Sequence, residues 1–207
     1  MIAKRATLGN PGESGTPAKH PSHTVDRTST SRNPLRMPVT PDQLLARLAE
    51  LGIEATTHRH APVFTVAESQ DLRGQLPGGH CKSLFLRDRE GGFWLASMLE
   101  HRRISVNALA RAIGAPRVSF ASAEDLMHHL GVIPGAVTPF GLINDRAHAV
   151  TPVLDAAMMR ECALVNFHPL DNAMTTAIRP ADLLRFIGAC GHAPRLVELA
   201  PLEAASA

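Results

Sequence analysis

Two strand signals of seven residues, Cys81 to Arg87 and Phe93 to Leu99, flank the polar stretch Asp88-Arg89-Glu90-Gly91-Gly92. Strand-forming runs split by a short, glycine-containing turn read as a β-hairpin. A hairpin in mid-chain commits its surroundings to a sheet, and the elements around it are single helices rather than a regular strand-helix alternation. This pattern predicts an α+β fold: one domain with a mixed sheet and flanking helices.

The helices carry their own punctuation. Thr40-Pro41-Asp42-Gln43 combines an N-cap, a proline at the first helical position and a capping box, followed by a stripe of Leu44, Leu45, Leu48 and Leu51 that ends at Gly52. Ile53 to Arg59 reads as an edge strand, broken by His60-Ala61-Pro62. A second capping box, Thr65 to Glu68, opens a short helix ending near Gly74. Ser105 caps a helix closed by Gly114, Arg117 to Phe120 is a strand, and Ser122 to Leu130 is a capped helix stopped by Gly131. Ala136 to Val153 reads as extended, with a turn at Asn144-Asp145. A helical stretch at Ala156 to Arg160, a strand at Ala163 to Phe167, a strand at Thr175 to Ile178, a helix at Ala181 to Ala189 and a strand at Leu196 to Leu199 complete the chain.

Composition narrows the class. A chain of 207 residues that is 44% hydrophobic can bury one good core, and no apolar run approaches the roughly 18 residues of a membrane span. Three cysteines, Cys81, Cys162 and Cys190, include no Cys-x-x-Cys pair, so neither a disulfide framework nor a structural zinc site is indicated. A reducing cytoplasm fits best. Residues 1–38 are rich in Ser, Thr, Pro, Gly and His and read as a disordered leader, with the folded domain at 39–207. The leader lacks the amphipathic repeat of a transit peptide and the apolar core of a secretion signal. It holds a net +4, leaving the rest of the chain at net −2. A domain so balanced is not a broad electrostatic binder of nucleic acid and would need a local patch and a specific pocket.

Lys82 is the only lysine after residue 37; every other positive side chain there, histidine aside, is arginine. A compact, mobile ammonium does what a planar guanidinium cannot. Strand alternation sets His80, Lys82, Leu84 and Leu86 on one face and Cys81, Ser83, Phe85 and Arg87 on the other. Lys82 thus shares a face with leucines, beside Gly78-Gly79, where a ligand or backbone can come close. The reading is a ligand for a phosphate or a developing oxyanion, set against that of one solvated lysine kept by chance.

Two further segments accompany it. Gly131 to Leu142 is too dense in glycine and proline for regular structure, and reads either as a stiff loop whose backbone polar groups face a ligand or as a tight crossover. In Val165 to Thr176, His168 ends a strand, Pro169 stops its pairing, and Asn172 and Thr175 follow, grouping an imidazole, an amide and a hydroxyl at one sheet end. A structural histidine and an Asx-turn are the plainer alternative. Other candidates fall away. The Cys81 side chain points away from His80 and Lys82. His128 and His129 diverge on their helix, Ser83 and Ser97 lack a Gly-x-Ser-x-Gly setting, and there is no Rossmann fingerprint or Walker loop. Glu100 to Arg103 reads as a solvated turn, with Arg102 and Arg103 as possible phosphate contacts.

Together, Gly-Gly-His-Cys-Lys-Ser-Leu-Phe-Leu, Gly-Val-Ile-Pro-Gly-Ala-Val-Thr-Pro-Phe-Gly-Leu-Ile-Asn-Asp and Asn-Phe-His-Pro-Leu-Asp-Asn-Ala-Met-Thr-Thr resemble the YbaK / prolyl-tRNA-synthetase-associated editing domains, most closely the ProX branch of free-standing alanyl-tRNA(Pro) deacylases. The resemblance runs from about Thr40 to Leu199. It implies a barrel-like mixed sheet with flanking helices and the hydrolysis of alanine wrongly esterified to proline tRNA, without metal or cofactor. The implied catalytic residues are Lys82, His168, Gly131 and Gly135, and the implied substrate-binding residues are Ser83, Pro134, Thr138, Asn172 and Thr175. Ser83 stands where the family commonly has asparagine. The implied partner is the acceptor end of tRNA(Pro) carrying alanine, with prolyl-tRNA synthetase or an elongation factor as transient associates and no membrane. A non-catalytic tRNA- or nucleotide-binding module on the same fold is the rival; a cysteine- or metal-dependent hydrolase of another ester is a third reading.

Overall fold

The computed structural model describes residues 37–61 and 76–199. Within them the strands are β1 (Ala55–Arg59), β2 (Gly79–Asp88), β3 (Phe93–Leu99), β4 (Val118–Phe120), β5 (Val150–Asp155), β6 (Val165–Phe167), β7 (Met174–Ile178) and β8 (Arg195–Val197). The helices are α1 (Pro41–Glu50), α2 (Val106–Ile113), α3 (Ala123–Leu130), α4 (Ala156–Glu161) and α5 (Pro180–Ala189), with a 3₁₀ turn at Pro139–Ile143. The leader and the expected helix beginning at Thr65 lie outside the described residues.

Local chemistry explains the helix ends. Thr40 accepts from the Gln43 backbone N–H while the Gln43 side chain accepts from Thr40 N–H, closing the capping box at a gain of about 1 kcal/mol over an uncapped end. Ser122 and Asp125 repeat the motif on α3. Gly114 and Gly131 end α2 and α3 at φ of 64° and 66°, the left-handed region that glycine enters without a side-chain clash.

The strands run in the order β1-β7-β6-β2-β3-β5-β8, with β4 also on β2. The hairpin β2–β3 is antiparallel, whereas β2–β6, β3–β5 and β5–β8 are parallel, so the sheet is mixed as expected. Its path ends at β1 and β8, which do not pair with each other; the barrel-like expectation gives way to an open sheet. Alternation sorts its side chains into two cores. Phe85, Leu95, Val165, Phe167 and Ile178 join α1, α3 and α5 in one cluster, and Leu86, Ala96, Met98 and Val153 join α2 in the other.

Residues 136–153 depart from the extended reading. Thr138 accepts from Phe140 N–H and Pro139 takes the first helical position, so Thr-Pro starts a 3₁₀ turn that buries Phe140 and Leu142. The buried Asp145 then accepts from the N–H groups of Ala149 and Val150, and β5 begins only there. Hydrophobic burial and a cap outweigh strand propensity. No helix among the described residues is long and apolar enough to cross a membrane.

Candidate functional site

Strand β2 supports neighbours on both edges. One edge pairs with β3 from Cys81 to Arg87. On the other, Gly79 and His80 pair with β6, and Leu86 to Asp88 pair with β4. Between these stretches residues 81–84 pair with β3 alone among the described residues, so the sheet forks beside Lys82. Two residues beyond the His80–Asn166 pair come Lys82 on β2 and His168 past the end of β6. Both belong to the face opposite Phe85 and Phe167, and Thr175 on β7 follows the same alternation.

The Lys82 side chain is half-buried, and its ammonium donates to the Arg102 carbonyl. Burial lowers its pKa below the ordinary lysine value; the Glu100 carboxylate pushes back and Arg103 adds to the fall. The turn that receives it is anchored from several sides. Glu100 N–H donates to the His80 carbonyl, Arg102 N–H donates to the Leu99 carbonyl, and Arg102 Nε lies 3.4 Å from Oδ2 of fully buried Asp155. Glu100 to Arg103 is therefore not simply a solvated turn.

His168 is half-buried. Its Nδ1 donates to the Met174 carbonyl at 2.8 Å, which leaves Nε2 as the lone-pair acceptor of the neutral ring. Burial lowers its pKa and the neighbouring His60 lowers it further, while the Met174 hydrogen bond and the charges of Asp171 and Glu100 oppose the change. Glu100 thus acts on both Lys82 and His168. Thr175, 8% exposed, shares a 2.9 Å hydrogen bond with His60 Nε2, and the rings of His60 and His168 stand 6.2 Å apart. Asn172 is buried in the connecting loop, where Asp171 accepts from Ala173 N–H and Leu170 takes a φ of 69°. A leucine in the left-handed region is costly, and such strain accompanies segments over-determined by their surroundings.

The structure therefore brings Lys82, His168 and Thr175 onto one sheet face, with Asn172 in the adjoining loop. The remaining expected residues are placed differently. Ser83 faces the other way, its hydroxyl 2.8 Å from that of Ser97. Thr138 is fully buried as a cap. Gly131 serves as a helix terminus, and a Cβ there would meet the Asn144 amide at 2.6 Å. Gly135, at a φ of 91°, and Pro134 are exposed, while Val132 and Ala136 on either side bury into the first cluster together with Phe167. The glycines before Lys82 make room for the protein itself: a Cβ at Gly78 would strike the Leu164 carbonyl and one at Gly79 the Cys162 sulfur, each at 2.6 Å.

Sequence reasoning missed His60, Glu100 and Asp155. Asp155 caps α4 from the end of β5; its ion pair depends on a turn more than fifty residues away in sequence. Among the described residues no group of three or more His, Cys, Asp and Glu is placed to hold a metal ion. The thiols are free. Burial raises that of Cys81 far above its ordinary value and that of Cys190 to about 11, so both stay protonated and weakly nucleophilic near neutral pH.

Among the described residues, Lys82 and His168 thus share one face of a mixed sheet, and no cluster is placed to hold a metal ion. Residues 60–186 match the family described as the aminoacyl-tRNA editing domain. The chain is 38% identical over 152 residues to the bovine prolyl-tRNA synthetase associated domain-containing protein 1, covering 72% of this chain and 88% of that protein. It is 34% identical over 158 residues to the prolyl-tRNA editing protein ProX of Acetoanaerobium sticklandii, covering 75% and 95%. The chain belongs to the aminoacyl-tRNA editing domain family. A crystal structure described as a candidate trans-editing enzyme for prolyl tRNA synthetase shares its fold, with a TM-score of 0.59 at 18% identity over 77% of this chain and 97% of that one.

Proposed function

We propose that the protein is a trans-acting deacylase that hydrolyses the ester of alanyl-tRNA(Pro). The observation that carries this reading is the half-buried ammonium of Lys82, held on one sheet face with the neutral His168 beside a fork in the sheet. Ester hydrolysis requires a positioned water and stabilisation of the tetrahedral oxyanion. The water oxygen bonds to the carbonyl carbon, the ribose oxygen leaves with a proton, and free alanine and tRNA result. Lys82 would hold the oxyanion or the phosphate of the terminal adenosine by charge-assisted hydrogen bonds. His168 Nε2 would accept from the attacking water or from the ribose 2′-hydroxyl, and the exposed backbone at Pro134 and Gly135 would complete the pocket. No protein nucleophile is needed if the ribose 2′-hydroxyl assists. Exclusion of proline would follow from a pocket sized for a methyl group.

Alanyl-, seryl-, cysteinyl- and prolyl-tRNA(Pro) presented to catalytic amounts of the protein test this directly. Release of alanine with the prolyl ester left intact is expected. Binding of alanyl-tRNA(Pro) without turnover would replace the enzyme with a binding module; full inhibition by chelator or thiol alkylation would point to different ester chemistry.

A further inference from the structure

We propose that His60, acting through Thr175, builds the subsite that receives the α-amino group of the aminoacyl ester; this rests on the editing reading above. His60 follows the end of β1 and is tied there by its N–H, which donates to the Ala173 carbonyl at 2.9 Å. Its ring Nδ1 lies 2.7 Å from the Ala61 carbonyl. A carbonyl can only accept, so Nδ1 carries a proton, and in the Nδ1–H tautomer Nε2 holds a lone pair. Nε2 sits 2.9 Å from the Thr175 hydroxyl, which in that tautomer donates its one proton to His60. The Thr175 oxygen then has lone pairs alone to offer.

The same logic applies to His168, whose Nδ1–H is taken by the Met174 carbonyl. Two neutral acceptors, Thr175 Oγ1 and His168 Nε2, consequently share the face that carries Lys82. The Glu100 carboxylate, which acts on both Lys82 and His168, adds a negative field. Such a face complements a ligand with a donor at one end and an acceptor at the other. An aminoacyl ester is such a ligand: its amino group donates to Thr175 Oγ1, its carbonyl or the adjoining phosphate accepts from Lys82, and His168 Nε2 is left to the water or the 2′-hydroxyl. His60 is in this arrangement a positioning residue, since it fixes which way the Thr175 hydroxyl points.

The test compares alanyl-tRNA(Pro) with lactyl-tRNA(Pro), in which a hydroxyl of the same size replaces the amine. Wild type should prefer the alanyl ester by about tenfold or more in kcat/KM, the scale of a hydrogen bond to a charged donor. His60→Phe and the near-isosteric Thr175→Val should lower alanyl turnover more than lactyl turnover and so shrink that ratio toward one. Thr175→Ser, which keeps the hydroxyl, should restore it. Equal losses on both esters would make His60 and Thr175 merely structural, and an indifferent wild type would remove the subsite while leaving the editing reading in place. A wild type inert on both esters would overturn the editing reading and the subsite together.

Discussion

The sheet face bearing Lys82 and the Gly131–Thr138 segment are both marked out by sequence, and they are built in opposite ways. On the sheet face the polar side chains are committed: Lys82 to the Arg102 carbonyl, His168 to the Met174 carbonyl, Thr175 to His60. In the loop the side chains of Val132 and Ala136 are buried, Thr138 is spent as a cap, and what faces outward is Ile133 together with the turn at Pro134 and Gly135. The first region supplies charge and lone pairs; the second supplies shape and peptide groups. Side-chain substitution should therefore be severe in one and mild in the other, except where the backbone itself is altered.

The largest effect should come from Lys82→Ala, with loss of deacylation of about 10²- to 10³-fold, the range for removing one oxyanion donor. Lys82→Arg should not restore it, because a planar guanidinium cannot occupy the site of a compact ammonium. Near-normal rates in either variant would break the contrast. Asp155→Asn leaves Arg102 without its buried counter-charge and should lower stability by about 3 kcal/mol, read as a shift in the urea midpoint. His168→Ala should cost about tenfold in kcat, since orientation rather than charge is lost.

Acid should weaken the fold. His129, His168 and His192 all have pKa values lowered by burial, so below about 6.5 the unfolded chain binds protons that the folded chain refuses, and stability that is full above that pH is lost as pH falls through the folded values. A thermal midpoint that rises between about pH 7.5 and about pH 5.5 would contradict this. The smallest effects belong to the loop: Ile133→Ala, at a side chain 52% exposed, should change stability by less than about 0.5 kcal/mol. Gly135→Ala, forced to a φ of 91°, should cost about 1–2 kcal/mol. The pair separates side-chain from backbone contributions.

Local signals made much of this legible from sequence. The Thr40 and Ser122 capping boxes, the terminators Gly114 and Gly131, and the β2–β3 hairpin depend on residues within a few positions of one another. The grouping of Lys82 with His168 followed from motif resemblance, and the parallel β2–β6 register supplies its physical basis. Partnerships across the fold were not legible. Asp155 meets Arg102 only through the β3–β5 pairing, and His60 reads as a strand breaker until β1–β7 pairing sets it against Thr175. Ser83 carries a binding role only by resemblance, and strand alternation sets it against Ser97. The 3₁₀ turn at Pro139–Ile143 was hidden because Phe140 and Leu142 suit a strand as well as a buried turn.

The most direct measurement is an NMR titration with a non-hydrolysable alanyl-amide analogue of the terminal adenosine, following the Lys82 ammonium, the ring nitrogens of His60 and His168, and the backbone amides of the Gly131–Thr138 segment. The account expects saturable shifts at Lys82 and both histidines, with loop changes limited to the exposed amides around Gly135. Saturable binding that leaves the Lys82 and His168 signals unmoved would contradict it.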